Sequence, residues 1–461
     1  MRHAISHATR RVAGLLLALL AFACGLPDAG TGTATPDRGA QASSQPMASG
    51  SDAAVGVRDD AHPTDPSHAA VHAPARGLWI LAEGSYRVLD DPARIEPLLE
   101  RATRLAATDL FVQVYRGGRA FYHAGPGIER APGHEPGTPD TLGLLIEQAH
   151  ARGLRVHAWV NVLSLSKRAD AALIGDLGPE ALLVDRFGRS LIDYPDFEVP
   201  EPDRRYYRMG TPGLYLDPGS LAVRERVVTT FRDLLERQSG LDGLHLDYIR
   251  HPDVLPLIPG SRFGVGLDFG YGAESRARYR AETGQPDPIE GAPPGVVRSA
   301  TAWDDWRRDQ VSRLVSEIAA TSRATRPDIV VSAAVIAYVD RAYLTLAQDW
   351  RGWLEAGWLD LAMPMVYTLD DRLLRYQMES FAGWPLAARI WPGVGVWLFG
   401  GSPEGARMQL AILRRGRFAG EMLFSDDAIA SSPELLAALV ETPEGVTPPA
   451  PSTPSPSTPA P

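Results

Sequence analysis

The chain has a single cysteine, Cys24, and a single lysine, Lys167. One cysteine excludes an internal disulfide and a thiolate zinc site, which draws on several cysteines in paired spacing. The scarcity of lysine leaves arginine as almost the only base, a bias that reads as codon usage. Basic side chains are themselves the minority: 46 Lys and Arg against 56 Asp and Glu give a net charge of −10. That balance provides no footprint for nucleic acid or for an anionic membrane surface. The apolar run 12–23 is shorter than the roughly 20 residues a membrane-spanning helix needs. Chain breakers are abundant, with 44 glycines and 39 prolines in 461 residues. At roughly 100–200 residues per domain the length allows two or three domains, or one large barrel.

The breakers concentrate at the two ends. Residues 1–24 combine Arg2, Arg10 and Arg11, the short apolar run and a small-residue site at 21–23. This is the pattern of a secretory signal, and it predicts export. Cys24 follows that site directly, as in the bacterial lipoprotein signal, where the cysteine is lipidated and anchors the mature chain to a membrane. Residues 25–75 are Ala, Ser, Gly, Thr, Pro, Asp and His, with too few large apolar side chains to bury a core, and read as a disordered tether. Residues 441–461 read as a disordered Pro/Ser/Thr-rich tail.

Between them, 76–440 alternates short apolar runs with amphipathic segments. The runs lie at 77–81, 109–115, 155–162, 243–249, 329–336, 359–367, 391–398 and 420–424. Helical segments fall at 92–106, 139–152, 222–238, 303–326, 349–356, 373–381, 403–415 and 433–440, with apolar residues three and four apart, as at Val227, Phe231, Leu234 and Leu235. Eight strands each followed by a helix predict an α/β fold, the (β/α)8 TIM barrel. The connections after strands 3 and 4 are long and rich in Tyr, Asp and Arg. In a barrel they stand on the C-terminal face, where they suit a polyhydroxylated ligand.

The run DGLHLDYIR at 242–250 is the strongest local signal. His245 and Asp247 are two apart and share a strand face, opposite Leu244, Leu246 and Tyr248. If the apolar set meets the helices, Asp247 stands inward at the barrel mouth, where a glycosidase keeps a nucleophilic or basic carboxylate. The competing reading is a carboxylate that caps a loop or pairs with Arg250. On the third strand His157, Trp159 and Asn161 share a face. On the second, Gln113 and Tyr115 do, followed by Arg116. Glycoside hydrolysis needs a second carboxyl as proton donor. Asp340 beyond the fifth strand, Asp370 and Asp371 after the sixth and Asp426 and Asp427 after the eighth could all reach the mouth, but Glu83 after the first strand is the preferred acid and Asp426 the alternative. The fifth strand carries no carboxylate, which excludes an acid there.

The runs RGLW at 76–79, FVQVY at 111–115, LIEQAHARGLRVHAWVN at 145–161, LDPG at 216–219, DGLHLDYIR at 242–250 and MPMVY at 363–367 together resemble glycosyl hydrolase-like family 10. That family groups bacterial exported (β/α)8 proteins, often lipidated. The resemblance implies hydrolysis of a cell-envelope or extracellular polysaccharide such as peptidoglycan glycan strands, and it points to Asp247. Arg119 stands where many members carry Asp. The expected site is therefore Asp247 with Glu83 or Asp426, and Gln113, Tyr115, Arg116, His157, Trp159, Asn161, His245, Arg250, Tyr367 and Trp397 binding substrate, with no cofactor and no metal. Two other readings compete: a carbohydrate-binding barrel without turnover, and a metal-dependent hydrolase with His157, His245 and Asp247 as ligands.

Overall fold

A computed structural model describes residues 74–257, 268–416 and 418–440. The signal, tether and tail expected at 1–24, 25–75 and 441–461, including Cys24, lie outside these residues except for 74–75.

Eight parallel strands close into a barrel: β1 (Ala75–Ile80), β2 (Asp109–Arg116), β3 (Arg155–Asn161), β4 (Gly243–Asp247), β5 (Val330–Ile336), β6 (Leu361–Val366), β7 (Gly393–Gly395) and β8 (Gly420–Phe424). Closure comes from β1, which pairs with β2 on one side and β8 on the other. The main helices are α1 (Ile95–Arg104), α2 (Thr141–His150), α3 (Leu221–Arg237), α4 (Ala300–Thr325), α5 (Trp350–Glu355), α6 (Asp371–Ala382), α7 (Pro403–Leu413) and α8 (Pro433–Val440). Some starts are set by an acidic cap. Asp140 caps α2 by accepting from Gly143 N at 3.1 Å, and Asp349 caps α5 by accepting from Gly352 N at 3.1 Å.

The two-residue alternation of the strands sorts side chains into two cores. Leu78, Ile80, Leu110, Val112, Leu244 and Leu246 point outward into the layer shared with the helices. Trp79, Phe111, Trp159, Met363, Trp391 and Met422 fill the barrel interior. These rings fit because glycines start several strands. A Cβ on Gly243 would stand 2.0 Å from His157 Nδ1, and one on Gly393 would stand 2.7 Å from the Trp79 ring.

The long connections after β3 and β4 form a joined shelf on the C-terminal face. Ser164–Ser166 pairs with Leu214–Tyr215 inside the first, and Tyr207–Met209 pairs with Val254–Pro256 across the two. An Arg186–Asp268 ion pair also links them. The second carries a helix, Ala273–Thr283, that periodicity did not reveal. Among its own residues only Ser275 and Tyr279 are buried, too few to draw an apolar stripe. Two strands end two or more residues before their apolar runs do. β4 stops at Asp247 because Tyr248 turns into the left-handed region at φ 51°, and β7 gives way after Gly395 to a 3-10 turn, Val396–Phe399.

Candidate active site

Asp247 is the last residue of β4 and stands at the C-terminal mouth, 5% exposed. Its Oδ2 accepts from Trp159 Nε1 at 3.1 Å and its Oδ1 from Tyr248 N at 2.7 Å. Burial pushes this carboxyl up to about 6, while the Arg250 charge and the two donors pull against that rise. The left-handed Tyr248 belongs to the same turn. A bulky residue held there is an uncommon backbone state, of the kind that clusters at functional sites.

One layer below, His245 is enclosed. Trp79 Nε1 donates to His245 Nε2 at 2.9 Å, and an indole N–H only donates, so Nε2 is the bare nitrogen. The proton therefore sits on Nδ1 and is donated to Ser332 Oγ at 2.9 Å, whose hydroxyl donates onward to Leu244 O at 3.2 Å. Burial drives His245 well below the usual histidine range, and nearby His157 adds to the effect. His245 is a neutral brace under the site.

His157 lies deeper still. Its Nε2 is 2.8 Å from Asp109 Oδ1, and its ring stacks on Phe111 with centroids 4.4 Å apart. Burial favours the neutral form of Asp109, but hydrogen bonds from His157, Arg155 and Thr108 outweigh it and hold that carboxyl below its usual range. The triad of His157, His245 and Asp247 does not form a donor set, since both His245 nitrogens face protein partners. No group of three or more acidic, histidine or cysteine side chains able to hold a metal ion occurs among the described residues.

The mouth brings Gln113, Trp159, Asn161 and Asp247 together. Asn161 is level with Asp247 across β3 and β4, and its Oδ1 accepts from Gln113 Nε2 at 3.2 Å. Gln113 Oε1 in turn accepts from Ala82 N at 3.3 Å, tying β2 to the turn after β1. Tyr115 does not join Gln113. The β2–β3 register shifts between Gln113 and Tyr115, and the bulge turns Tyr115 into the outer core near Thr230 of α3. Tyr367 follows β6 and stacks on Phe424 with centroids 5.5 Å apart. Burial pushes its hydroxyl far up, and the negative charge of Asp247 adds to this. Trp397 lies in the turn after β7, beside Tyr367 across Gly395, and its buried Nε1 has no hydrogen-bond partner among the described residues. Arg250 is buried, donates Nη1 to His251 O at 3.2 Å and lies 5.0 Å from the Tyr248 ring centroid.

The two expected acids occupy different surroundings. Glu83 is 41% exposed and accepts from Arg116 Nη1 at 2.7 Å. Asp426 has no exposed side-chain surface, and Arg101 holds both its oxygens at 2.9 and 2.7 Å. Its neighbour Asp427 accepts from Ser85 Oγ at 3.0 Å and Tyr86 N at 2.7 Å, which fixes the turn that carries Glu83. Arg119 pairs with Glu129, away from these groups. Trp79 and Ser332 brace the site through residues far away along the chain, which local sequence does not signal, and Asp427, one of the carboxyls expected near the mouth, instead holds the turn after β1.

Residues 74–384 match the family model Glycosyl hydrolase-like 10. Glycosyl hydrolase DigH of Escherichia coli strain K12 is 23% identical over 66% of this chain and 65% of its own length. Glycosyl hydrolase YngK of Bacillus subtilis strain 168 is 23% identical over 59% of this chain and 48% of its own. The chain thus spans about two thirds or less of the curated relatives it matches. Among solved structures, α-L-fucosidase isoenzyme 2 from Paenibacillus thiaminolyticus superposes with TM-score 0.52 at 13% identity, covering 80% of this chain and 49% of that one. A catalytic mutant of Gan42B, a β-galactosidase from G. stearothermophilus, gives 0.51 at 14%, covering 79% and 56%. At such identities the superpositions speak for the TIM-barrel fold. The family match covers most of the chain, and the protein belongs to the glycosyl hydrolase-like 10 family.

Proposed function

We propose that the chain is an exported glycoside hydrolase, held to a membrane through lipidated Cys24, that acts on a cell-envelope or extracellular polysaccharide such as peptidoglycan glycan strands. One observation carries the reading: a buried carboxyl at the barrel mouth, pushed up to about 6, with both oxygens oriented by Trp159 and Tyr248. Asp247 serves as nucleophile or base at the anomeric carbon. Glu83 donates the proton to the leaving glycosidic oxygen, since it is accessible whereas Asp426 is closed off against Arg101. Gln113, Asn161 and Trp159 hold hydroxyls around Asp247, and Tyr367 and Trp397 present ring faces and donors on the opposite side. The family supports the chemistry, and the names of the relatives agree with it. The test is release of new reducing ends from purified cell-wall polysaccharide. Asp247→Asn should abolish it while leaving the fold intact, and full activity in that variant overturns the reading.

A second reading, a carbohydrate-binding barrel without turnover, draws on the engagement of Asp426 by Arg101 and on a fifth strand without a carboxylate. Calorimetric binding of glycan with no reducing ends released would favour it.

A further inference from the structure

A groove of about 460 Å3 lies beyond the carboxyl end of β5, the strand beside β4. The helix Val339–Leu346 forms one wall, and the start of α5 forms the other. Its floor is fixed to strand backbone: Gln348 Oε1 accepts from Ile336 N at 2.8 Å, and Trp350 Nε1 donates to Ile336 O at 3.2 Å. His251, in the connection that leaves the Asp247 strand, donates its backbone N–H to Leu346 O at 2.9 Å, which ties the end of the Val339–Leu346 helix to the connection after β4.

Tyr343 borders this groove and is 39% exposed. Arg308 of α4 covers the ring, its Cζ 3.7 Å from the centroid. The same arginine donates Nε to Tyr343 O at 2.8 Å and Nη1 to Asp305 Oδ1 at 2.8 Å. A cation over the ring and a bond to its own carbonyl hold the phenol in place at small entropic cost. Exposed Asp340 and half-buried Asp349 also line the groove. A fixed aromatic plate flanked by carboxylates suits a pyranose ring, whose C–H face stacks on the plate while its hydroxyls donate to the carboxylates. An apolar lipid tail would leave those carboxylates uncompensated.

We infer that this groove is an outer glycan subsite, with Tyr343 as the stacking platform for a sugar unit of a polysaccharide whose cleaved bond lies at Asp247. The inference rests on the glycosidase reading for the position of the cleaved bond, and on the place of the groove beyond the carboxyl end of β5, the neighbour of β4, for the path of the chain. An outer subsite acts on long ligands and leaves short ones untouched.

The experiment uses the full chain and soluble hexasaccharides of β-1,4-linked N-acetylglucosamine, β-1,4-linked glucose and α-1,4-linked glucose, with the matching disaccharides. Binding is followed by calorimetry in an Asp247→Asn background and cleavage by reducing ends in the wild type. Tyr343→Ala should weaken binding of the preferred hexasaccharide about tenfold and leave the disaccharide unchanged, and Tyr343→Trp should restore it. Equal hexasaccharide affinity in Tyr343→Ala and its parent overturns the subsite, even if cleavage proceeds. Tyr343-dependent binding without reducing ends keeps the subsite and sinks the hydrolase reading. Binding of no hexasaccharide overturns the subsite as well. Circular dichroism of Tyr343→Ala confirms that the comparison is between folded proteins.

Discussion

Trp159 on β3 donates its indole N–H to the Oδ2 of Asp247 on β4, 3.1 Å away. The bond crosses from one strand to the next at the barrel mouth, and it favours the ionised carboxylate that burial opposes. Trp159→Phe keeps the ring and removes the donor. A hydrogen bond to a charged group contributes about 1.5–3 kcal/mol, so the midpoint of Asp247 should move up by about one pH unit or more. The measurement is the acid limb of the pH–rate profile, or the 13Cγ resonance of Asp247 titrated by NMR. An unmoved midpoint would show that the indole sets position and not charge.

The raised carboxyl also makes a stability prediction. Folded Asp247 titrates at about 6, above the unfolded value of about 3.9, so the folded state holds its proton more tightly. Its contribution is most favourable below about pH 3.9 and is lost as pH rises through 6. Asp247→Asn carries no charge to bury. At pH 7 it should be more stable than the wild type by about 1–2 kcal/mol, after about 1 kcal/mol for a weakened acceptor, and that gain should vanish by pH 4. Urea denaturation at the two pH values measures this. His251 acts with the opposite sign. Burial, with Arg307 and Arg308 nearby, pushes it down to about 3, so its stability is full above about pH 6.5 and drains as pH falls. At pH 5 the wild type should have lost about 2 kcal/mol through this residue, a slope that His251→Gln removes.

What the sequence made legible follows from range. Each barrel strand overlaps an apolar run, because a buried strand needs apolar residues and the breakers on either side mark its ends. The placement of Asp247 followed from two-residue alternation alone. Tyr115 did not follow, because one bulge residue between it and Gln113 reverses the face of everything after it, and local sequence carries little sign of a bulge. The pairing of Asp426 with Arg101, 325 positions apart, is a fact of tertiary packing that no local pattern encodes.

The two acids separate by where their loss is felt. Fully buried Asp426 and partly buried Arg101 form a bidentate pair, so Asp426→Ala leaves a largely desolvated guanidinium without that partner and should cost about 3 kcal/mol. Glu83 sits in an exposed pair with Arg116, worth less than about 1 kcal/mol, so Glu83→Gln should melt within a few degrees of the wild type. The same variant should lose about a hundredfold or more in kcat as the proton donor to the leaving group. Thermal unfolding and turnover on both proteins decide the assignment. Full turnover in Glu83→Gln would return the acid role to another carboxyl.

Ser332 takes the proton that fixes the tautomer of His245, and so it has an effect at a distance on Asp247. Ser332→Ala leaves the Nδ1 proton of a fully buried imidazole without an acceptor, at about 1–3 kcal/mol. Moving the proton to Nε2 gives no relief, because the indole N–H of Trp79 already points there and two donors would meet head-on. Neither tautomer is satisfied, so the layer under Trp159 loosens and turnover should fall together with melting temperature. Ser332→Thr keeps the hydroxyl and should keep the tautomer. Long-range 15N–1H spectra of the histidine rings report it directly: the wild type should show His245 protonated on Nδ1 alone from pH 8 to pH 5, and Ser332→Ala the same tautomer with its Nδ1 proton shifted by loss of the acceptor. A wild-type proton on Nε2 would contradict the brace.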